Sequence, residues 1–246
     1  MYLYFMNIVI ITGASKGIGK ALAEKYASEN YKVYSLARSI VDLQNVTQIS
    51  IDLNNSKETK LKFKMLLDEI KKQSITSITL INNAGRLGTI SNIENIDSED
   101  ILKTIQVNTA TPTILCSLFI KLTQELKSIK KIINISSGAA IKAYEGWSIY
   151  CTTKAALDML TRAIAAEQQY KKNGIHCISL YPGVVDTDMQ MQIRSTDIKD
   201  FKNLQRFIDL KENNQLYSPE FVANTIYEID TKNTLPNGSV FDIRNL

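Results

Sequence analysis

One short segment near the N-terminus, residues 12–19, restricts the possible folds of this chain more than any other. It reads Thr-Gly-Ala-Ser-Lys-Gly-Ile-Gly and lies between an apolar run and an amphipathic stretch. In a strand–turn–helix unit, Gly13 permits a tight turn, Gly17 lets the backbone approach a pyrophosphate, and Gly19 allows close packing of helix on strand. The N-terminus of that helix presents free N–H groups to the phosphates. The segment therefore predicts a dinucleotide-binding α/β fold. Because its spacing is not the more common G-x-G-x-x-G, a plain strand-to-helix turn is the alternative.

Short β-rich runs alternate with longer amphipathic stretches along the rest of the chain. The predicted strands are 7–12, 31–37, 47–52, 78–82, 131–136, 175–181 and 239–243. The predicted helices are 18–29, 56–72, 110–127, 147–171 and 218–228. The strand runs lack polar alternation, which is typical of strands covered on both faces in a parallel sheet. The pattern predicts a single-domain Rossmann fold of the α/β class over residues 1–246, with a doubly wound parallel sheet of about seven strands.

The segment 188–215 interrupts this alternation, because it places Met189, Phe201 and Phe207 among polar residues without a strand pattern. It predicts either additional surface helices or a mobile flap over a binding site. Ligands of open α/β sheets bind beyond the C-terminal ends of the strands, and this segment follows such an end. The flap is therefore the favoured interpretation.

The N-terminal residues 1–11 predict the first core strand rather than a signal peptide. They contain no basic residue, and their apolar part continues directly into the glycine segment. Whether Met1 or Met6 is the native start stays open. The chain has 246 residues, of which 44% are hydrophobic and 22% charged, as in ordinary soluble globular domains.

Several functional classes are excluded by charge and residue usage. The net charge is +4, and the densest basic stretch, 57–72, alternates with apolar residues as a solvated helix face does, so we expect no nucleic-acid partner. No apolar run approaches the length of a membrane span, so we expect no membrane partner. The single histidine, His176, cannot build a metal site alone, and we expect no metal. The three cysteines form no CxxC pair, which favours reduced thiols and a cytoplasmic location.

The end of the second predicted strand indicates which nicotinamide cofactor is used. An NAD site places an acidic residue there to accept hydrogen bonds from the ribose 2′-hydroxyl. This chain has Arg38 and Ser39 instead, and Lys16 lies in the glycine segment. Two cations and a hydroxyl suit a 2′-phosphate, which predicts NADP(H). The alternative is that Arg38 is only a solvated loop residue.

Tyr150 and Lys154 lie one helical turn apart in a predicted helix and therefore share a face. A free tyrosine titrates at about 10, too high for efficient proton exchange at neutral pH, and a nearby ammonium is expected to lower its pKa. Ser137 follows a strand at the edge where ligands bind, so its hydroxyl can polarise a substrate carbonyl. Asn108, amid apolar neighbours, predicts either a helix-packing hydrogen bond or a functional group.

Taken in order, these motifs resemble the short-chain dehydrogenase/reductase family over essentially the whole chain. The resemblance comprises TGxxxGxG at residues 12–19, Asn-Asn-Ala-Gly at 82–85, Asn108, Ser137, YxxxK at 150–154 and Pro-Gly at 182–183 with Thr187. It implies that Tyr150 is the proton donor and that Ser137 orients the carbonyl. It also implies that Lys154 holds the nicotinamide ribose, while Asn108 supports a water that relays protons to Lys154.

The resemblance also implies how the cofactor is held. Asp52 matches a residue that contacts the adenine, and Val185 and Thr187 match a loop around the nicotinamide carboxamide. The predicted cofactor-binding residues are Gly13, Ser15, Lys16, Gly17, Ile18, Gly19, Arg38, Ser39, Asp52, Leu53, Asn83, Ala84, Gly85, Tyr150, Lys154, Pro182, Gly183, Val185 and Thr187.

Within the family, the chain is most similar to sepiapterin reductases and the related bacterial benzil reductases. The stretches that carry this similarity are 146–147, 182–189, 192–194 and 216–220. Trp147 and Met189 are predicted to contact the substrate as flat apolar walls, although both residue types are also common in cores. Asp242 resembles the C-terminal aspartate that anchors the pterin in sepiapterin reductases, and a surface charge in the last strand is its alternative.

The sequence thus predicts an NADPH-dependent carbonyl reductase acting on a small-molecule ketone or α-dicarbonyl compound, as a homodimer or homotetramer. Three other interpretations stay open. An NAD-linked alcohol dehydrogenase of the same family would bind NAD more tightly than NADP. A dinucleotide sensor would bind without turnover, and a structural module would keep only the fold.

Overall fold

The computed structural model describes residues 5–246. Seven strands form one parallel sheet in the order β3-β2-β1-β4-β5-β6-β7. The strands are β1 (Met6–Thr12), β2 (Lys32–Ala37), β3 (Val46–Ser50), β4 (Ile75–Asn82), β5 (Ile129–Ile135), β6 (His176–Tyr181) and β7 (Val240–Asp242). The predicted Rossmann fold is confirmed, and each predicted strand corresponds to an observed one. The part of the first-strand prediction that falls on residues 1–4, with the choice between Met1 and Met6, lies outside the described residues.

Helices cover both faces of the sheet. They are α1 (Gly17–Ser28), α2 (Ser56–Ile70), α3 (Ser98–Ile105), α4 (Thr111–Thr123), α5 (Ser148–Gln168), α6 (Asp188–Arg194), α7 (Leu204–Glu212) and α8 (Pro219–Lys232). On one face, Leu22 of α1 and Ile226 of α8 pack against the sheet core. On the other, Phe63 of α2 and Phe119 of α4 do the same. This two-sided burial explains why β1, β2 and β6 are mostly apolar.

Helix α3 was missed by the sequence reasoning, although it carries an apolar stripe. Ile101, Leu102 and Ile105 recur at helical spacing, but the helix has only eight residues and buries only Thr104, so the stripe does not join the core. A second local signal is Asp97, whose side chain accepts a hydrogen bond from the Glu99 backbone N–H at 2.8 Å as an N-cap. A π-helical turn, Gln106–Ala110, joins α3 to α4 and carries Asn108. Single π turns inside helices are frequent at functional sites.

The segment 188–215 contains helices α6 and α7, joined by a loop that is anchored to the rest of the molecule. The Ser91 hydroxyl donates to Asp200 Oδ1 at 3.0 Å. A Cβ on Gly146 would lie 2.3 Å from the Asp200 carbonyl oxygen, so the loop backbone rests directly on that glycine. The structure therefore shows two helices in a segment for which the sequence favoured a flap.

His176 lies away from the binding edge of the sheet. His176, at the N-terminal end of β6, has its Nδ1 atom 2.9 Å from Asn233 Oδ1. Among residues 5–246, no helix is both long and apolar enough to cross a lipid bilayer.

Candidate active site

The strands β1, β2, β4, β5 and β6 all end at one cleft of about 1280 Å³. Small-molecule sites usually occupy roughly 300–1,000 Å³, so this cleft has room for a dinucleotide and a substrate together. All of the predicted cofactor-binding residues line it, as do Ser137, Trp147 and Met189. Two predicted site residues, Asn108 and Asp242, are not among its lining residues. The sheet thus brings nearly all of the predicted site into one place.

The glycine turn has a backbone that only glycine accommodates at two positions. Gly13 has φ of +70°, and a Cβ there would lie 2.9 Å from Ala84 Cα. A Cβ on Gly19 would lie 2.3 Å from the Gly13 carbonyl oxygen. The Asn83 amide holds the turn in place by donating to the Thr12 carbonyl at 3.0 Å. The resulting cradle of bare backbone at the start of α1 fits the pyrophosphate of a dinucleotide.

The adenosine end of the cleft is formed by residues that follow β2 and β3. Arg38 and Ser39 are exposed at the end of β2, and Arg38 forms no ion pair with any residue of 5–246. Asp52, also exposed, accepts a hydrogen bond from the Asn54 backbone N–H at 3.0 Å. Lys16 is different, because its ammonium pairs with Asp188 Oδ2 at 2.6 Å. One of the two predicted phosphate-binding cations is therefore already engaged.

Tyr150 and Lys154 are buried on one face of α5. The Lys154 ammonium lies 5.6 Å from the centroid of the Tyr150 ring. It donates a hydrogen bond to the Ile135 carbonyl oxygen at 2.8 Å, which fixes it beneath the end of β5. A Cβ on Gly85 would lie 3.6 Å from Lys154 Nζ, so the absence of a side chain there keeps the space beside the ammonium open. The predicted pair thus faces the cleft together.

Burial shifts the protonation equilibria of this pair in opposite directions. Burial raises the pKa of Tyr150 to about 12, while the Ser137 hydroxyl acts weakly in the other direction. Burial lowers the pKa of Lys154 to about 8, and the charge of Asp158 partly opposes that change. The sequence predicted a lowered tyrosine pKa, and this is wrong because burial of the phenol dominates. The phenol therefore keeps its proton at neutral pH.

Ser137 and Asn108 occupy different surroundings. Ser137 follows β5, lines the cleft and caps the next turn by accepting a hydrogen bond from the Ala139 N–H at 3.2 Å. Asn108 is buried behind the cleft, where its amide donates to the Arg86 carbonyl at 2.7 Å and to Thr153 Oγ1 at 3.1 Å. Its Oδ1 accepts from the Arg86 N–H at 2.8 Å. The Asn108 side chain thus makes the packing hydrogen bonds that the sequence reasoning left as one of two alternatives.

Aromatic rings form the wall beside Tyr150. Trp147 stacks on Phe201 at 4.7 Å between centroids, with 10° between the planes. The Trp147 ring also lies tilted against Tyr144 at 4.9 Å and Phe207 at 5.4 Å, and edge-to-face with Tyr150 at 5.7 Å. Phe201 and Phe207 come from the 188–215 segment, so that segment completes the wall. Met189, partly buried, packs against the same cluster.

Asp242 sits apart from the predicted substrate contacts. Its Oδ1 accepts hydrogen bonds from Arg244, from the backbone N–H at 3.0 Å and from Nε at 2.8 Å. The Arg244 guanidinium holds the pKa of the Asp242 carboxyl below its usual range. Arg244 itself lines the cleft, as does Arg206 of α7. The sequence reasoning missed both arginines, and neither lies in a motif that marks it.

Comparisons with known proteins agree with this geometry. The model of the short chain dehydrogenase family matches residues 7–198. The chain is 40% identical to a benzil reductase ((S)-benzoin forming) of Bacillus subtilis, over 97% of this chain and 99% of that protein. It is 28% identical to the sepiapterin reductase of Meriones unguiculatus, over 96% and 95% of the two chains. The structure of 4-hydroxyisoleucine dehydrogenase complexed with NADH covers 96% of each chain, with a TM-score of 0.79 and 26% identity.

The family match extends over more than half of the chain, and the Bacillus relative is similar along nearly its whole length. The resemblance that the motifs indicated is therefore confirmed. The chain belongs to the short-chain dehydrogenase family of nicotinamide-dependent oxidoreductases.

Proposed function

We propose that this chain is an NADPH-dependent carbonyl reductase that transfers a hydride to a ketone or an α-dicarbonyl compound. The observation that carries the proposal is that Tyr150 and Lys154 line the same cleft as the glycine turn and Arg38. The Bacillus relative, named for the reduction of benzil, supports an α-dicarbonyl substrate. The sepiapterin reductase relative supports a pterin side-chain ketone as the second candidate.

The preference for NADPH rests on the end of β2. Arg38 and Ser39 are exposed there, and an acidic residue is missing from the position that would accept the ribose 2′-hydroxyl. A planar guanidinium forms two parallel hydrogen bonds with a phosphate, which suits the 2′-phosphate. Arg38 has no carboxylate partner within residues 5–246 and is thus available for this contact.

The side chains of the cleft fit the proton transfer that carbonyl reduction needs. The reduced nicotinamide, when bound, supplies the hydride to the carbonyl carbon. Tyr150 is protonated at neutral pH, because burial raises its pKa to about 12, and it donates its phenolic proton to the carbonyl oxygen. The Ser137 hydroxyl donates a hydrogen bond to the same oxygen. The Lys154 ammonium, 5.6 Å from the ring centroid, stabilises the phenolate that results.

The substrate end of the cleft favours a flat apolar compound. Trp147, Phe207 and Met189 line this end and offer aromatic and aliphatic walls. Asp242 is paired with Arg244, so a pterin would have to displace that arginine before the carboxylate could anchor it. We therefore rank an aromatic α-diketone above a pterin as the substrate class.

The remaining parts of the proposal concern organisation. We propose one domain over residues 1–246, in which 188–215 acts as a substrate flap, assembled as a homodimer or homotetramer through α4 and α5. The three free cysteines fit a reducing compartment, and we propose the cytoplasm.

The proposal is tested by following NADPH absorbance with benzil, other diketones and sepiapterin. We expect oxidation of NADPH with benzil, and a loss of about 10²–10⁴-fold in turnover for Tyr150→Phe, since the phenol is the proton donor. NADPH binding should change little, because only a hydroxyl is removed. Tyr170→Phe, which removes a phenol that is 89% exposed and lies just after the C-terminal end of α5, is the matched control. Near-normal turnover by Tyr150→Phe would contradict the assigned role, and NADPH binding without turnover of any carbonyl would favour a sensor.

A further inference from the structure

One ion pair joins the two halves of the cleft. Lys16 in the glycine turn and Asp188, the first residue of α6, are in contact through Nζ and Oδ2 at 2.6 Å. Their side chains are 71% and 65% exposed, so solvent and ligands reach both. Within residues 5–246, no other ion pair links the glycine turn to a distant part of the chain. The pair therefore connects the cofactor half of the cleft with the start of the 188–215 segment.

The backbone around this pair is closely packed. A Cβ on Gly17 would lie 3.2 Å from Thr187 Cγ2, so the turn and the residue before α6 are in van der Waals contact. Lys16 and Asp188 are neighbours of these two residues and are held within reach of each other by that contact. The ion pair is thus a consequence of how the turn meets α6, and it determines where the Lys16 ammonium rests.

We propose that Asp188 is a cofactor-specificity residue, because it competes with the 2′-phosphate of NADPH for Lys16. This inference rests on the proposed use of NADPH. NADPH gains the Lys16 contact only by breaking the pair with Asp188, whereas NADH has no 2′-phosphate and leaves the pair intact. A phosphate monoester carries close to two negative charges near neutral pH and displaces a singly charged carboxylate. Asp188 therefore reduces the preference for NADPH without reversing it.

The size of this effect follows from the exposure of the pair. Exposed ion pairs are weak because water and salt screen both charges. The measured quantity is the NADH dissociation constant divided by the NADPH dissociation constant. We expect that removing Asp188 raises this ratio about two- to fivefold. The charge of Asp188 also repels the pyrophosphate, which both cofactors carry. This common effect cancels in the ratio but not in either dissociation constant alone.

The experiment measures the dissociation constants of NADPH and NADH by isothermal titration calorimetry on the full chain. In Asp188→Asn, the ratio should rise because the Lys16 ammonium is free for the 2′-phosphate. In Lys16→Met, the ratio should fall, and adding Asp188→Asn to that variant should leave the ratio unchanged. Asp186→Asn is the matched control: Asp186 also lines the cleft, but it pairs with Lys211 of α7 at 2.7 Å, so the ratio should not move.

The outcomes separate this inference from the proposed function. If the wild-type protein prefers NADPH but Asp188→Asn does not change the ratio, the competition is refuted while the cofactor preference stands. If Asp188→Asn raises the ratio equally in the wild-type protein and in Lys16→Met, the competition is refuted as well, because the effect would then not depend on that lysine. If the wild-type protein, Lys16→Met and Asp188→Asn all bind both cofactors equally, the proposed NADPH preference is itself wrong.

Discussion

At the scale of single residues, burial sets which groups carry protons at the candidate active site. A buried site disfavours the charged form of each group, so the tyrosine pKa rises and the lysine pKa falls. The pKa of Tyr150 is raised to about 12 and that of Lys154 is lowered to about 8. Near neutral pH the phenol therefore keeps the proton it donates, and the amine keeps most of its positive charge. The two shifts suit reduction of a carbonyl.

The lowered pKa of Lys154 gives a testable pH dependence. Below about 8 the amine is protonated, and above that value it becomes neutral. If its charge helps to hold the cofactor ribose and to stabilise the phenolate, kcat/KM for NADPH should be near its maximum at pH 7, fall to about half near pH 8 and decline about tenfold per pH unit above that. Tyr150 does not titrate in this range, because its pKa is raised to about 12.

The measurement is kcat/KM for NADPH across this pH range, since this parameter reports ionisations of the free enzyme. Lys154→Arg is the comparison, because a guanidinium stays charged throughout and should remove the descending limb from whatever activity is left. A wild-type profile that stays level well above pH 8 would show that the Lys154 charge is not needed.

Single-residue roles were predictable where one local pattern determines them. Tyr150 and Lys154 share a face because they lie one turn apart on a helix. Asp242 was not predictable in the same way, since its carboxylate is turned toward Arg244 by the short turn that follows β7. The pKa of Tyr150 also depends on burial by segments that are distant in the sequence. The spacing of Tyr150 and Lys154 gives no information on that burial.

At the scale of elements, the 188–215 segment lines the cleft with Met189 and Phe207 and is attached to the rest of the molecule by a buried ring, Phe201. Phe201 is fully buried, although it lies in the loop between α6 and α7. Its ring stacks on Trp147 at 4.7 Å and lies 5.6 Å from Phe207. These contacts attach the segment to the start of α5. Phe201 is thus the main apolar contact between the loop that joins α6 to α7 and the start of α5.

Phe201→Ala should therefore loosen the segment and weaken substrate binding more than cofactor binding. Replacing a buried phenylalanine by alanine costs about 3–5 kcal/mol of stability, because it leaves a cavity. We expect faster hydrogen exchange in 188–215 and a raised KM for the carbonyl substrate. The dissociation constant of NADPH should change much less, since its proposed contacts lie in the other half of the cleft.

Ile198→Ala is the matched control for this prediction, because Ile198 is in the same loop but 54% exposed. It should leave both the exchange rates and KM nearly unchanged. Equal increases in KM for the carbonyl and in the NADPH dissociation constant of Phe201→Ala would indicate a general loss of structure instead of a local one.

The elements themselves were predictable in proportion to how much apolar surface they bury. β1 and β4 lie inside the sheet and bury most of their residues, and their existence was clear from the sequence. Helix α3 has only eight residues and buries only Thr104, so its short apolar stripe was too brief to stand out. The π turn at Gln106–Ala110 has no sequence signature of its own, because the hydrogen bonds of Asn108 with Arg86 depend on the tertiary fold.

At the scale of the whole molecule, a buried cluster on the α1 and α8 side of the sheet links distant parts of the chain. Asp230 of α8 is 4% exposed. It accepts a hydrogen bond from the Tyr26 hydroxyl of α1 at 2.7 Å and pairs with the Lys131 ammonium of β5 at 3.1 Å. The Thr79 hydroxyl of β4 lies 3.4 Å away. One carboxylate thus connects two helices and two strands. Burial, together with the negative charge of Asp230, raises the pKa of Tyr26 well above its usual value.

Asp230→Asn should destabilise the whole fold rather than one element. Removing one partner of a buried pair leaves the other charge uncompensated, which costs about 3 kcal/mol or more. Because a domain of this kind has roughly 5–15 kcal/mol of stability in total, the urea midpoint should fall clearly while the transition stays cooperative. Glu69→Gln is the control: it breaks an ion pair with Lys72 in which both side chains are 68% exposed, so the midpoint should hardly move. Equal small shifts for the two variants would show that Asp230 is not a central link, whereas a separate early transition for Asp230→Asn would show that it stabilises α8 alone.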